Sequence, residues 1–176
     1  MNLLLAIAEQ HIPVGLRKKE LNKLFQLTAS AFGCTTPALK GMDYQACLRH
    51  YALFTKRSVY QLGEQEERMA RIRQQLFQQA FQYGQGWRKK FGLSTMSEVM
   101  RAAKVLYRAI GIEFKGNEQG DIEIDRCFFS HYYTSATCWV ISALDSGLMA
   151  GLAGGGKLSF SQRITEGATS CRAKFE

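Results

Sequence analysis

Apolar residues recur at helical spacing through the first 110 positions and then give way to alternation. Leu16, Leu21, Leu24, Phe25 and Leu27 form an amphipathic stripe that predicts a helix ending near Gly33. Pro37 and Gly41 punctuate the loop after it. Tyr44, Leu48, Tyr51, Ala52 and Val59 predict a second helix. A longer one starts at Glu64, with Met69, Ile72, Leu76, Phe77, Ala80 and Phe81 on one face and Arg and Gln on the other. Gly84 and Gly86 are expected to end or bend it. Ser94 or Ser97 caps a fourth helix through Val99, Ala102, Ala103, Leu106 and Ile110, stopped by Gly111.

After Gly111 the period becomes two. Ile112–Phe114, Asp121–Asp125, Leu158–Gln162 and Cys171–Phe175 alternate as half-buried strands do, with turns at Gly116-Asn117 and Gly167-Ala168. Between the strand pairs, Thr134 to Leu152 reads as a helix, and Gly154-Gly155-Gly156 breaks it. The predicted class is α+β in one domain over 1–176: residues 1–110 form a helical scaffold. Residues 111–176 supply a small antiparallel sheet covered on one face by helices, with helix 134–152 and a C-terminal hairpin.

Strand phase carries the expectation further. Leu158, Phe160 and Ile164 face inward with Glu166 following in phase, and Cys171, Ala173 and Phe175 face inward from the partner strand. A two-residue turn at Gly167-Ala168 sets Ile164 opposite Cys171 and Arg163 opposite Arg172. Like charges across a ladder need acids nearby. Glu123 and Asp125 qualify if 121–127 is the neighbouring strand. Strict alternation turns Cys127 outward unless its strand ends first. On helix 134–152, Cys138 and Asp145 are two turns apart and lie on nearly one line. That line borders a stripe of Val140, Leu144, Gly147, Leu148 and Gly151 expected to pack on the sheet.

Composition narrows the class. A hydrophobic content of 46% with 22% charged residues is that of an ordinary globular protein. Met1–Ala8 is too short and lacks the basic start of a signal peptide, and no later run approaches a bilayer span of about 20 apolar residues. Five cysteines without tight spacing point to a reducing, cytoplasmic setting. The net charge of +8 lies wholly in residues 1–92, with 14 Lys/Arg against 6 Asp/Glu, while residues 93–176 hold nine of each. Arg17-Lys18-Lys19, Arg68/Arg71/Arg73 and Arg88-Lys89-Lys90 carry it. They form either solvated helix faces or a surface that meets nucleic acid, an acidic protein partner or an anionic membrane face. No zinc-finger spacing, RNA-binding aromatic signature or helix-turn-helix accompanies them, so basic charge alone does not indicate nucleic acid.

The chemistry concentrates in the last fifty residues, which hold Cys127, Cys138, Cys171, His131, Asp145 and Glu166. Gly154-Gly155-Gly156-Lys157 is no phosphate loop, because the required Gly-Lys-Ser/Thr is absent and a strand comes after it. Zinc or iron held by Cys127, His131, Cys138 and Cys171 is an option without the usual Cys-x-x-Cys pair, and no cofactor is otherwise expected. Cys47 and His50 read as packing residues.

Arg126-Cys127, Cys138, Leu144-Asp145, Gly147-Leu148, Gly151-Leu152, Glu166-Gly167, Cys171-Arg172 and Phe175, in this order, resemble the L-2-amino-thiazoline-4-carboxylate hydrolase family over about residues 105–176. The Gly-x-x-x-Cys hairpin at the end is more weakly similar to 4-vinyl reductase type small-molecule-binding domains. The first resemblance implies hydrolytic opening of a cyclic, amidine-like thiazoline ring to an N-carbamoyl-cysteine product.

Attack on an sp2 ring carbon needs a nucleophile and proton transfer. Cys127 or Cys138 is the candidate nucleophile, and Cys138 has the advantage of a helix first turn. His131, Asp145 or Glu166 is the candidate for moving protons. Arg163 or Arg172 suits a substrate carboxylate, although alternation turns both outward. Plainer roles stand beside these: Cys138 and Cys171 as core residues, Asp145 bonded to backbone or arginine, Glu166 ordering its turn, His131 in a loop. Two function classes are left, a small hydrolase using cysteine and carboxylate chemistry or a non-catalytic module binding a small molecule or a partner.

Overall fold

The computed structural model describes residues 9–63 and 65–176, so the apolar start at 1–8 and Glu64 lie outside the described residues. Four helices come first: α1 (Val14–Phe32), α2 (Tyr44–Tyr60), α3 (Glu66–Phe91) and α4 (Met96–Ala109). Strands β1 (Ile112–Gly116) and β2 (Asp121–Cys127) come next, then a 3-10 turn at Phe128–His131. Helices α5 (Ser135–Ile141) and α6 (Ala143–Ala153) lead to β3 (Leu158–Gln162), a 3-10 turn at Ile164–Glu166 and β4 (Cys171–Phe175). The fold is α+β, with an antiparallel sheet in the order β1-β2-β4-β3. The larger apolar core runs from Ile12 and Leu21 in the helical half to Phe175 at the end of the sheet, and a smaller one gathers Val59, Ile72, Leu76, Val140 and Leu144.

The caps explain two boundaries. α4 starts at Thr95 rather than at either expected serine, because Thr95 accepts from the Glu98 amide while the Glu98 carboxylate accepts from the amides of Ser94 and Thr95. Helix 134–152 divides at Ser142, where the Ser142 hydroxyl and Arg73 both donate to the Trp139 carbonyl. Ser135–Ala153 is, among the described residues, the one stretch long and apolar enough by length and composition to cross a membrane, and 61% of its apolar window is buried inside the fold.

Glycines join α3 to α6, which is not the arrangement their pattern suggests. Gly84 does not end α3, which continues to Phe91. A methyl on Gly84 would lie 2.6 Å from the Leu148 carbonyl oxygen. Methyls on Gly147 and Gly151 would collide with the carbonyls of Phe77 and Phe81. The small-residue stripe of α6 therefore meets a helix backbone, not the sheet. Arg88 fixes the end of the seam by donating to the carbonyls of Leu152 and Ala153 at 3.0 and 2.7 Å. Other basic residues are also used internally: Arg17 donates to the Ile12 carbonyl and Lys18 to the Met42 carbonyl.

The sheet keeps most of its predicted phase. Ile112, Phe114, Ile122, Ile124, Leu158, Cys171, Ala173 and Phe175 all face the core. β2 neighbours β4, and Glu123 stands opposite Arg172 with their charges 3.7 Å apart. Two irregularities break that phase. A bulge in β2 leaves Asp125 unpaired, with Glu113 opposite Arg126 and Phe114 opposite Ile124. The extra residue inverts the phase, so Arg126 points out and Cys127 turns inward beside Ile112. A second bulge, at Ser161, places Gln162 rather than Arg163 opposite Arg172, and the ladder ends there. Residues 163–170 form a wider loop than the two-residue turn expected. Ile164 still meets Cys171, but by donating its amide to the Sγ at 3.4 Å.

The seam makes a paired prediction. Gly147→Ala forces α3 and α6 apart and is expected to cost about 3 kcal/mol in urea denaturation. Gly86→Ala, on the open face of α3 with nothing within 4 Å, is expected to gain up to about 1 kcal/mol.

Candidate functional site

All six helices and the sheet border a cavity of about 120 Å³. Its wall is mostly apolar, with Leu24, Ala80, Leu148 and Ile164 among its residues. Into it come Cys127 from the bulged end of β2, Cys138 from α5, Asp145 from α6 and Cys171 from β4. Glu166 and His131 are not in the wall. Glu166 closes an exposed 3-10 turn and reaches back to Arg163 at 3.5 Å, because the strand that would have carried it inward ends at Gln162. His131 is exposed, in a groove outside the sheet edge. His131 shares that groove with Cys127 but not with Cys138 or Cys171, and among the described residues no group of three or more His, Cys, Asp or Glu is placed to hold a metal ion.

Asp145 is the polar centre of the cavity. Tyr107, on the buried face of α4, donates its hydroxyl to Oδ1 at 2.8 Å. Asp145 is half-buried and lines the cavity. Burial raises its pKa to about 6, against the lowering effects of the Tyr107 hydrogen bond and of the Arg163 charge. A carboxylate poised this close to neutrality changes protonation with little driving force.

The thiols behave differently. Burial pushes Cys127 up to about 12, opposed by the Phe129 and Ser130 amides. It also raises Cys138, opposed by Thr165 and Arg163, and Cys171, opposed by the Ile164 amide. All three are protonated at neutral pH, and the first turn of the short α5 does not reverse this. Thiols in this state act as soft, weakly polar wall rather than as nucleophiles.

Tyrosines complete the wall, although the helical stripes do not set them apart from ordinary core. Tyr51 bonds Thr28 at 2.8 Å, Tyr133 bonds Thr55 at 2.6 Å, and Tyr83 donates to Glu20 at the α1–α3 end. Their signal in the sequence is a hydroxyl inside an apolar stripe, which needs a partner once buried. Arg163 lies inward, not outward as alternation implies. Its side chain is 16% exposed and its guanidinium lies over the Phe160 ring at 4.5 Å. Phe160, half-buried, gives it an apolar shelf.

No protein-family model matches this sequence, and no functionally curated protein is significantly similar to it.

The Asp145 shift has a signed consequence. The folded pKa lies above the ordinary value of 3.8, so between about pH 4 and 6 the native state binds this proton more tightly than the unfolded chain. Stability contributed by this group is therefore fullest at the acid end, falls as pH rises through that window, and is flat above it. Asp145→Asn keeps an acceptor for Tyr107 and removes the buried charge. It is expected to gain up to about 3 kcal/mol at pH 7.5 in urea denaturation and to remove this part of the pH dependence.

Proposed function

We propose that this protein binds a small, largely apolar molecule in the central cavity, with Asp145 meeting the ligand's hydrogen-bond donor. The observation that carries the reading is a buried carboxylate, Asp145, lining a largely apolar cavity at the meeting point of six helices and the sheet. A few polar groups set in an apolar recess are the usual composition of a ligand pocket. The volume suits a molecule of about one ring, since apolar cavities near 150 Å³ take up benzene. Docking of an acidic partner on the basic half is the weaker form of the binding reading, because Arg17, Lys18, Arg73 and Arg88 are engaged within the fold.

A second reading is favoured by the pKa of Asp145: ring-opening hydrolysis of the kind implied by the resemblance to the thiazoline-carboxylate hydrolases. In this reading Asp145 takes a proton from water as the oxygen attacks the ring carbon between nitrogen and sulfur, and the second water proton passes to the ring nitrogen as the carbonyl forms. The C–S bond then breaks, and the proton on Asp145 passes to the departing thiolate, giving the carbamoyl product with a free thiol. Cys138 shapes the pocket and is not the nucleophile, which departs from the roles expected for it and Cys127. Glu166 and His131 take no part.

Aniline, a ring with one N–H donor group, serves as the binding probe in heteronuclear NMR titration of the full chain. Saturable shifts at Tyr107, Cys138 and Asp145 are expected, with affinity at least tenfold lower in Cys138→Phe, which fills the cavity. Shifts spread over the surface and unaffected by that substitution contradict the reading. For hydrolysis, turnover of L-2-amino-thiazoline-4-carboxylate is expected to drop on the order of 100-fold or more in Asp145→Asn and to change little in Cys138→Ser. The reverse pattern returns the thiol to the role of nucleophile.

A further inference from the structure

The charges of the cavity run against those of the chain. The protein carries a net +8, yet among the described residues no Lys, Arg or His lines the cavity, and the acids in its wall are Glu20 and Asp145. Arg163 acts on Asp145 electrostatically but stands outside the wall, held by Glu166 at 3.5 Å and lying over the Phe160 ring. Asp145 makes no ion pair among the described residues. Its one hydrogen bond, from Tyr107, goes to Oδ1, so Oδ2 is left without a donor. A carboxylate in apolar surroundings is costly without a counter-ion, and folds ordinarily pair such groups. The wall holds no cation to do so, which leaves that role to whatever occupies the cavity.

The aromatic part of the wall suits the same occupant. Tyr51, Tyr83, Tyr107, Tyr133 and Phe129 all line the cavity. The four hydroxyls are committed to Thr28, Glu20, Asp145 and Thr55 respectively, so what these residues offer a ligand is ring surface. Phe129 joins two of them, edge-on to Tyr51 at 5.5 Å and stacked with Tyr133 at 5.6 Å. Ring faces attract a desolvated cation through their quadrupole. Tyr51 and Tyr107 both lie within electrostatic reach of Asp145, so carboxylate and ring surface act in one part of the cavity. Glu20 is differently placed. Arg17 and Lys23 stand three residues to either side of it on α1, where a helix brings side chains together, while α6 carries no Lys or Arg to neutralise Asp145.

We propose that the cavity's ligand is a cation, a one-ring compound carrying an alkylammonium group for which Asp145 is the counter-ion. The inference rests on the cavity being a ligand site and deepens it by naming the charge and the chemical class. The ammonium donates to Asp145 Oδ2 and lies against the Tyr51 and Tyr107 rings, while the ligand's own ring fills the space among the thiols and Phe129. An anionic group on the ligand finds no cation in the wall, so the expected ligand carries none.

Benzylamine, cationic at pH 7.5, and its neutral isostere benzyl alcohol test this by calorimetric titration of the full chain. Wild type is expected to bind benzylamine at least tenfold more tightly. Asp145→Asn abolishes that preference and leaves benzyl alcohol affinity within about twofold, whereas Glu20→Gln keeps most of the preference. Independently of any variant's folding, saturating benzylamine moves the carbon-13 titration midpoint of the Asp145 carboxyl down by about one unit, the linkage equivalent of a tenfold preference, and benzyl alcohol does not. Equal affinity for the two probes overturns the cation and leaves the cavity reading standing. Binding of neither overturns both. A preference that survives Asp145→Asn overturns the assignment, whether Glu20→Gln removes it or not.

Discussion

The approach of two helix backbones sets the position of everything functional in this fold. Gly84 in α3 and Gly147 and Gly151 in α6 remove the side chains that would hold the helices apart, so carbonyl groups of one meet Cα atoms of the other. At that distance α6 has no freedom to slide or roll, because any shift brings a backbone oxygen into a Cα. α6 carries Asp145 on the flank away from the seam, and α4 brings Tyr107 to meet it from 38 residues earlier. The cavity is the volume left between this rigid pair, the other helices and the sheet.

Two strand irregularities then choose the wall. The extra residue at Asp125 reverses the phase of β2 and sends Cys127 in. The second, at Ser161, ends β3 early, draws Arg163 under the loop and leaves Glu166 outside. In both cases one residue decides which face a functional group occupies, as the two-residue period of a strand requires. The resulting surroundings are apolar enough to lift the Asp145 carboxyl and all three thiols above their ordinary values, burial being the leading cause in each. The carboxyl ends near neutrality and the thiols end protonated. That difference makes the carboxyl, and not the thiols, the group in the cavity that changes charge close to neutral pH.

Much of the architecture is legible in the chain. Helical stripes, the switch to alternation after Gly111, the antiparallel C-terminal sheet and the neighbourhood of β2 and β4 all come from side-chain period. The cluster of Cys138 and Asp145 is legible too, because two turns of helix keep them on one line even across the break at Ser142. What escapes the pattern depends on contacts between distant segments. A glycine stripe does not say whether it faces a sheet or another helix. A bulge leaves no period of its own, so alternation assigns Cys127 and Arg163 to the wrong side. Tyr107, Tyr51 and Tyr133 look like core until their hydroxyls are traced to Asp145, Thr28 and Thr55.

Carbon-13 NMR titration of the aspartate carboxyl groups bears most directly on the claim that Asp145 is buried against a largely apolar cavity. Its resonance is assigned by its loss in Asp145→Asn. A midpoint near 6 is the predicted result, whereas a midpoint near the ordinary 3.8 would show a solvated carboxylate and contradict that claim.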